Sequence, residues 1–368
     1  MKVKLGDLVE FSNGYAFKSS DYVDCSNTVN CRMSNIRPDG SFDIEYNIKF
    51  LPDEFSDKYN DFILKDGDII IAMTDMAGDP KILGVPTIVN TKGYTVLMNQ
   101  RVGKLALKGE LIIPQYLKYT LISKPARDYF KSFAGGGVQL NIGKKEILNI
   151  ELNLHNLEEQ TEIVNRLDKI KIIIKFRKQQ LQQLDDLVKA RFVEMFGDIH
   201  ESSKWVKKPW SELVTIQNGR DYKNLLVESG GYPVYGTGGE MARASDYLCP
   251  ENSIIVGRKG TINNPLLVKE KFWNVDTAFG VIVGNQLHYQ YFYNFCRMFD
   301  FSTLNKQAVL PSTTKADLLK IQIAVPPIEL QNEFATFVEQ IDKSKATVQK
   351  ALDEAQTLFD SLMQEYFG

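Results

Sequence analysis

The sequence predicts an α+β protein in which two mixed α/β domains are separated by two long helices pairing as an antiparallel coiled coil, the whole a pseudo-twofold internal repeat. Three observations carry this. First, residues 157–197 and 328–368 each spell a long amphipathic segment closing on Phe-Gly, at Phe196-Gly197 and at Phe367-Gly368. In the first, Ile163, Leu167, Ile170, Ile174, Leu181, Leu184 and Val188 keep a three-and-four spacing interrupted at Arg177. In the second, Phe334, Val338, Ile341, Val348, Leu352, Ala355, Phe359 and Leu362 do the same, interrupted at Lys345. Alternating three and four averages 3.5, the seam of a coiled coil rather than the broad stripe of a globular helix. Second, the ladders share one offset: Phe334 lies 171 residues after Ile163, and Ile328-Glu329-x-Gln331 answers Leu157-Glu158-x-Gln160 at the same distance. That is an internal repeat. Third, the block ahead of each helix runs through its elements in the same order.

Residues 1–155 form the first block. Lys4 to Phe11 is a short helix or the start of a strand, closed by the turn signal Asn13-Gly14. Leu64 to Ala72 reads as a turn feeding a buried strand, and Val85 to Val89 and Tyr94 to Met98 are further strands. Ile113 to Leu121 is a proline-started helix, Ala134 to Gln139 a flexible loop, and Ile147 to Leu154 a strand. Residues 156–197 are the central helix and 198–204 a linker. The second block, 205–326, answers element by element: Trp210 to Gly219, Ser253 to Gly257, the helix His288 to Phe299, and the strand Leu318 to Val325. Residues 327–368 are the second helix. The offset drifts from 205 to 171 through the block, so the second domain lacks about 34 residues that the first carries in loops. Retained scaffold with varied loops suits a recognition module, and a plain tandem duplication would look the same.

Charge is balanced over the 368 residues, 44 basic against 46 acidic. Residues 205–325 carry 13 basic and 10 acidic side chains, 326–368 carry 3 and 8, and 1–155 carry 19 of each. Cys25, Cys31, Cys249 and Cys296 form no CxxC pair, and His155, His200 and His288 are scattered, so no zinc site is legible. The start MKVKLGDLVEF has no signal-peptide character and no apolar run is long enough to span a bilayer, which points to a cytoplasmic setting.

Catalytic chemistry is not legible either. Residues 137–145 resemble a phosphate loop, but the spacing is one residue long and the magnesium-holding Ser/Thr is missing. Asn264-Pro265-Leu266-Leu267 lacks the second proline and the aromatic of an amino-methyltransferase loop, and three scattered histidines offer no nucleophile triad. Asp66 and Asp68 sit in a turn and read as solvated acids.

Recognition chemistry is richer. Tyr232 to Gly239, with Tyr235 and Thr237, and Val256 to Ile262, with Arg258, Lys259 and Thr261, combine glycine with aromatic, hydroxyl or cationic groups. Glycine lets a backbone approach a ligand, and Arg258 and Lys259 suit phosphate or guanine. The first block counters with Asn13 to Lys18, including Tyr15, Phe17 and Lys18, and with Gln100 and Arg101. Tyr15 and Phe17 read equally well as core aromatics. Gln139 lies in the glycine loop; Lys144 and Lys145, and Thr313, Thr314 and Lys315, end loops before the final strand of each block.

The run YPVYGTGG, GRKGTIN, FWNVDTAFG and VPPIELQ closely resembles the specificity subunit of type I restriction-modification systems, and KLGDLVEFSNGYAFKSSDY, LKDGDIIIAM and LEEQTEIVNRL look like a diverged first copy. The resemblance covers the chain in the order target-recognition domain, helix, target-recognition domain, helix. The first half departs from it at Leu154-His155-Asn156-Leu157, where the family has a proline-rich helix start, and in its glycine-rich loop. The resemblance implies a non-catalytic subunit that reads a bipartite target in double-stranded DNA. It also implies two methyltransferase subunits carrying S-adenosylmethionine docked on the helices, and restriction subunits that join them, with no cofactor, metal or membrane for this chain. The DNA-facing set it suggests is Tyr15, Phe17, Lys18, Gln100, Arg101, Gln139, Lys144 and Lys145, with Arg220, Tyr235, Thr237, Arg258, Lys259, Thr261, Thr313, Thr314 and Lys315. The spacer and partner set is Ile163, Leu167, Ile170, Ile174, Leu181, Leu184, Phe334, Val338, Ile341, Val348, Leu352 and Phe359. Connectivity favours the antiparallel pairing independently: a helix of about 40 residues spans roughly 60 Å, more than a domain of about 120 residues, some 30–35 Å across, could cover on a return. The rival from another class is a coiled-coil scaffold with protein-binding ends; a self-contained methyltransferase lacks its motifs.

Overall fold

The computed structural model describes residues 1–199, 205–304 and 312–368; His200 and most of the expected linker at 198–204 lie outside the described residues. The chain divides into two compact units, Met1–Phe176 with Leu352–Gly368, and Arg177–Ala351. Each unit holds one globular block together with parts of the two long helices, Leu157–Phe196 and Ile328–Phe367.

In the first unit the short helix Leu5–Leu8 runs directly into the strand Val9–Asn13. That strand opens an antiparallel four-stranded sheet whose neighbours are Val102–Leu107, Ile69–Ala72 and Pro86–Ile88. A second sheet holds Phe50–Leu51, Thr28–Cys31, Thr95–Met98 and Ile63–Leu64, its middle pair parallel. Lys2–Lys4 pairs with Glu151–Asn153, just before the first long helix. The proline-started helix Pro114–Ile122 packs Tyr116 and Leu117 into a core shared with Leu5, Ile147, Ile163, Leu167 and Phe367.

The second unit repeats this plan on its own. Its four-stranded sheet orders Val214–Asn218, Ala278–Val283, Ser253–Gly257 and Leu266–Val268. A three-stranded sheet joins Gly239–Ala244, Tyr232–Gly236 and Trp273–Asn274, the last two parallel. Lys207–Pro209 pairs with Gln322–Ala324. Its core gathers Trp210, Tyr291, Phe292, Phe192, Phe196, Phe334 and Val338.

Within each unit the two long helices run antiparallel. In the first, Arg166 meets the Tyr366 hydroxyl at 3.1 Å; in the second, Arg191 meets Glu333 at 3.2 Å and Lys345 meets Asp185 at 2.6 Å. The seam residues Ile163, Leu167, Phe334 and Val338 are buried in the unit cores, and Ile341 and Phe359 pack partly against them. Ile170, Ile174, Val348 and Leu352 are buried, whereas Leu181 and Leu184 are half-buried. Buried side chains of this kind hold the protein together and cannot meet an external partner. The exposed apolar residues on the first helix are others: Leu157, Ile172, Ile173, Phe176, Leu187 and Val193.

Two expectations about local structure change. The strands expected from Ile147 and Leu318 begin as short helices, Lys144–Asn149 and Lys315–Leu318, and become strand only at Glu151 and Gln322. In the second case the Thr314 hydroxyl accepts the Asp317 N–H, a side-chain cap that starts a helix before the apolar run can pair. The expected loop at Ala134–Gln139 is partly a ribbon: Gln139–Asn141 pairs with Thr74–Met76, and Gly135 bridges Asn141. The departure at Asn156 has its own compensation. Asn156 accepts the Glu159 N–H and Glu159 accepts the Asn156 N–H, a capping box where the second helix has Pro326-Pro327.

Candidate nucleic-acid interface

The loops singled out in each block meet at one edge, stitched by main-chain hydrogen bonds, and four of these bonds recur from one edge to the other. In the first, the Tyr15 N–H reaches the Met98 carbonyl at 2.9 Å, Asn99 reaches Cys31 at 2.9 Å, Met73 reaches Arg101 at 3.0 Å, and Ile142 reaches Met73 at 2.9 Å. In the second, Arg220 reaches Asn274 at 3.0 Å, Val275 reaches Tyr235 at 3.0 Å, Arg258 reaches Thr277 at 2.9 Å, and Thr313 reaches Arg258 at 3.0 Å. Tyr15 therefore stands where Arg220 does, Met73 where Arg258 does, and Arg101 where Thr277 does. Backbones cross so closely beside the first stitch that a Cβ at Gly14 would lie 2.2 Å from the Asn99 carbonyl oxygen, and one at Gly219 1.9 Å from that of Val275, which accounts for the Asn-Gly signal in both halves.

The sequence-selected side chains separate into two groups. Lys18, Gln100, Arg101, Lys145, Arg220, Arg258, Lys259 and Thr261 are exposed, and Gln139, Tyr235 and Thr237 are half-buried. Arg258 is steadied by a hydrogen bond from its guanidinium to the Asp276 carbonyl at 3.2 Å and lies 5.8 Å from the Phe279 ring centre. Tyr15 is partly exposed in an aromatic group with Phe17, Tyr59 and Phe62. A hydrogen bond with Tyr15, and then one with Lys58, holds the Tyr59 hydroxyl below the usual tyrosine range.

Five residues have structural work instead. Phe17 is buried in a small cluster with Leu51 and Leu97. Thr313, 3% exposed, donates its hydroxyl to the Gly257 carbonyl at 2.7 Å. Thr314 caps the short helix Lys315–Leu318. Lys144 donates to the Phe11 carbonyl at 3.1 Å, and its counterpart Lys315 to the Ile216 carbonyl at 2.7 Å, the same tie in each half from the start of a short helix to the strand Val9–Asn13 or Val214–Asn218. Residue type alone did not reveal these ties, because a lysine that solvates a strand and one that meets a phosphate look identical in sequence.

Arg258→Ala should therefore relax discrimination at one base pair by about 1–3 kcal/mol if the guanidinium reads a base bidentately. Lys315→Met should instead lower stability and leave relative preferences among duplexes unchanged. Competition binding with single-base-pair variants, alongside melting curves, separates the two, and an Arg258→Ala protein with unaltered preferences would make Arg258 structural.

Among the described residues no group of three or more His, Cys, Asp or Glu is placed to hold a metal ion, and no helix is long and apolar enough to cross a membrane. Comparison with known proteins agrees with the repeat. The family model described as type I restriction modification DNA specificity domain matches twice, over residues 1–186 and 202–356. The type I restriction enzyme MjaVIII specificity subunit of Methanocaldococcus jannaschii is 31% identical over 187 residues, which is 50% of this chain and 42% of that protein, so the match spans less than half of the relative. Among solved structures, the S subunit of a type I restriction-modification system from M. genitalium superposes with a TM-score of 0.62 at 14% identity, covering 100% of this chain and 96% of that one. A chain from a structure on complex assembly and conformational transition of the type I R-M system gives 0.58 at 15% identity, covering 100% and 97%. At such identities these two establish likeness of fold.

Proposed function

Because the chain belongs to the type I restriction-modification DNA specificity family, we propose that it is the sequence-reading subunit of such a system, each block reading one half of a split target in double-stranded DNA. The observation that carries this is the pair of matched edges, alike in main chain and unlike in side chains: Tyr15, Met73 and Arg101 in one, Arg220, Arg258 and Thr277 in the other. A scaffold with protein-binding ends gives no reason for the same stitched frame to carry two such different sets of side chains. The family model describes a DNA specificity domain, and methyl transfer to adenine falls to two methyltransferase subunits that bring S-adenosylmethionine, with restriction subunits joining them, in the cytoplasm. Ile172, Ile173 and Phe176 in the first unit and Leu187 in the second are exposed apolar groups off the seam, and they are the surface we assign to the methyltransferase subunits.

The long helices would set the gap between half-sites. Seven residues inserted after Ile170 and seven after Ile341 keep the heptad register and lengthen each helix by about 10.5 Å. At roughly 3.4 Å per base pair, that is about three base pairs, which also turn the second half-site by about 100°. Sequencing of methylated adenines across the genome of cells carrying this subunit and its partners should show a bipartite motif for the wild type. The lengthened form should give the same two half-sites, a longer gap and weaker methylation. An active lengthened form that kept its original gap would remove the spacer role, and a wild-type motif without two separated halves would remove the reading itself.

A further inference from the structure

The first block carries an element that the matched edges leave unexplained. Beyond the shared frame, Thr74–Met76 and Gln139–Asn141 extend as a two-stranded antiparallel ribbon, with Met76 directly opposite Gln139. Its base is fixed. The Thr74 hydroxyl donates to the Asn141 side-chain oxygen at 2.8 Å, and the buried Asp75 carboxylate accepts the N–H groups of Met76 at 2.8 Å, Leu83 at 3.0 Å and also Ile82. Its turn is built, not slack: Gly136 has φ +134°, a Cβ there would lie 1.9 Å from the Gln139 carbonyl oxygen, and the Val138 carbonyl accepts the Ala77 N–H at 3.0 Å. On this rigid base sits an exposed apolar tip, Met76 at 51% and Val138 at 77% of their full accessibility, belonging to none of the buried clusters. Gln139 follows Val138 in sequence and pairs directly opposite Met76.

A two-stranded ribbon is one of the shapes the DNA major groove admits. A glutamine amide matches the paired acceptor and donor of adenine, and apolar side chains match the C5-methyl group of thymine, whereas arginine and lysine match guanine. Directly opposed residues on an antiparallel pair have Cβ atoms about 4.5–5.5 Å apart, close enough for Met76 and Gln139 to address one base pair or two stacked ones. The tip is continuous with the reading edge through the Ile142 N–H to Met73 carbonyl bond, and at that junction Met73 occupies the place of Arg258. Resting on the recognition reading above, we propose that the ribbon tip of the first block reads A·T pairs in the major groove, Gln139 hydrogen-bonding adenine while Met76 and Val138 pack on a thymine methyl.

The test uses the subunit assembled with its methyltransferase partners and labelled duplexes carrying the target mapped from the genome. Each thymine of the first half-site is replaced in turn by uracil, which removes the methyl and keeps every base-pair hydrogen bond. At one or two positions the wild-type complex should bind about 4-fold more weakly, the worth of one buried methyl. A Met76→Ser, Val138→Ser double variant should lose this sensitivity while its dependence on the second half-site stays intact. Gln139→Ala should lose discrimination at the adenine by about 10-fold. Melting curves matching the wild type exclude misfolding as the cause. A wild-type complex that prefers its target but ignores every uracil overturns the proposal, as does a double variant that keeps the full uracil penalty. A complex with no preference for any duplex overturns the recognition reading, and this proposal with it.

Discussion

Gln331→Leu should lower the stability of the second unit by about 3–5 kcal/mol, and Gln160→Leu that of the first by a similar amount. Both glutamines are fully buried in the first turn of a long helix. The Gln331 side-chain oxygen accepts the His288 N–H at 2.8 Å, and its nitrogen donates to the Gln286 carbonyl at 3.1 Å and the Pro326 carbonyl at 2.8 Å. Gln160 repeats the pattern on the Ile113 N–H at 2.9 Å and the carbonyls of Leu111 at 3.0 Å and His155 at 2.9 Å. One side chain thus ties the long helix to the start of the block's main helix and to the strap leading in. Leucine fills the space and leaves these main-chain groups unpaired in a dry setting, each at about 1–3 kcal/mol. Glutamate is the sharper control, since it keeps the acceptor and turns a second oxygen toward two carbonyls. Urea unfolding of each variant measures the loss, and a leucine variant within 1 kcal/mol of wild type would show that water satisfies the vacated groups.

Lys118→Met should raise stability at pH 7 by roughly 3 kcal/mol. Lys118 is only 9% exposed on the helix Pro114–Ile122. Burial first, and then the neighbouring Lys171, pull its pKa down to about 8, against partial help from Asp39 and Asp168. Its folded value lies below its unfolded one, so between about pH 8 and 10.5 the unfolded chain binds more protons and this group's contribution to stability rises with pH. Below pH 8 the full penalty is present. Methionine keeps the length of the stem and removes the charge. The advantage of the variant should therefore be greatest at pH 7 and fade toward pH 10.5, and equal stabilities at pH 7 would mean that the ammonium reaches water.

The helices and the repeat were legible because a seam imposes a spacing that no other element shares, and because Gln160 and Gln331 recur at the ladder's own offset. Turn signals and short apolar runs marked the strands at Ile69–Ala72, Thr95–Met98 and Ser253–Gly257, whereas Thr28–Cys31, Val102–Leu107 and Ala278–Val283 were not legible. Burial of polar groups was not legible. Thr313, Thr314, Lys144 and Lys315 sit in loops or at their ends, where a hydroxyl or ammonium group has many possible uses, and only tertiary neighbours decide. Phe17 reads equally well in sequence as core or surface, and its neighbours put it in the core. The ribbon of the first block escaped for another reason. Three consecutive glycines at 135–137 signal freedom, yet they serve a turn whose partner strand, Thr74–Met76, lies far away in sequence. The outward row Ile172, Ile173 and Phe176 left a trace: apolar residues off the seam, unexplained by helix pairing.

The stitched edges have an evolutionary consequence. The matched bonds that draw Tyr15, Met73 and Arg101 together, and Arg220, Arg258 and Thr277, are made by peptide N–H and carbonyl groups. Those groups are the same in every amino acid except proline, which is barred where the N–H donates, at Tyr15, Met73, Arg220 and Arg258. Selection can exchange the exposed side chains for almost anything else while the frame keeps its shape, and such surface changes usually move stability by no more than about 0.5 kcal/mol. A lineage can drift from one DNA address to another without passing through an unfolded ancestor.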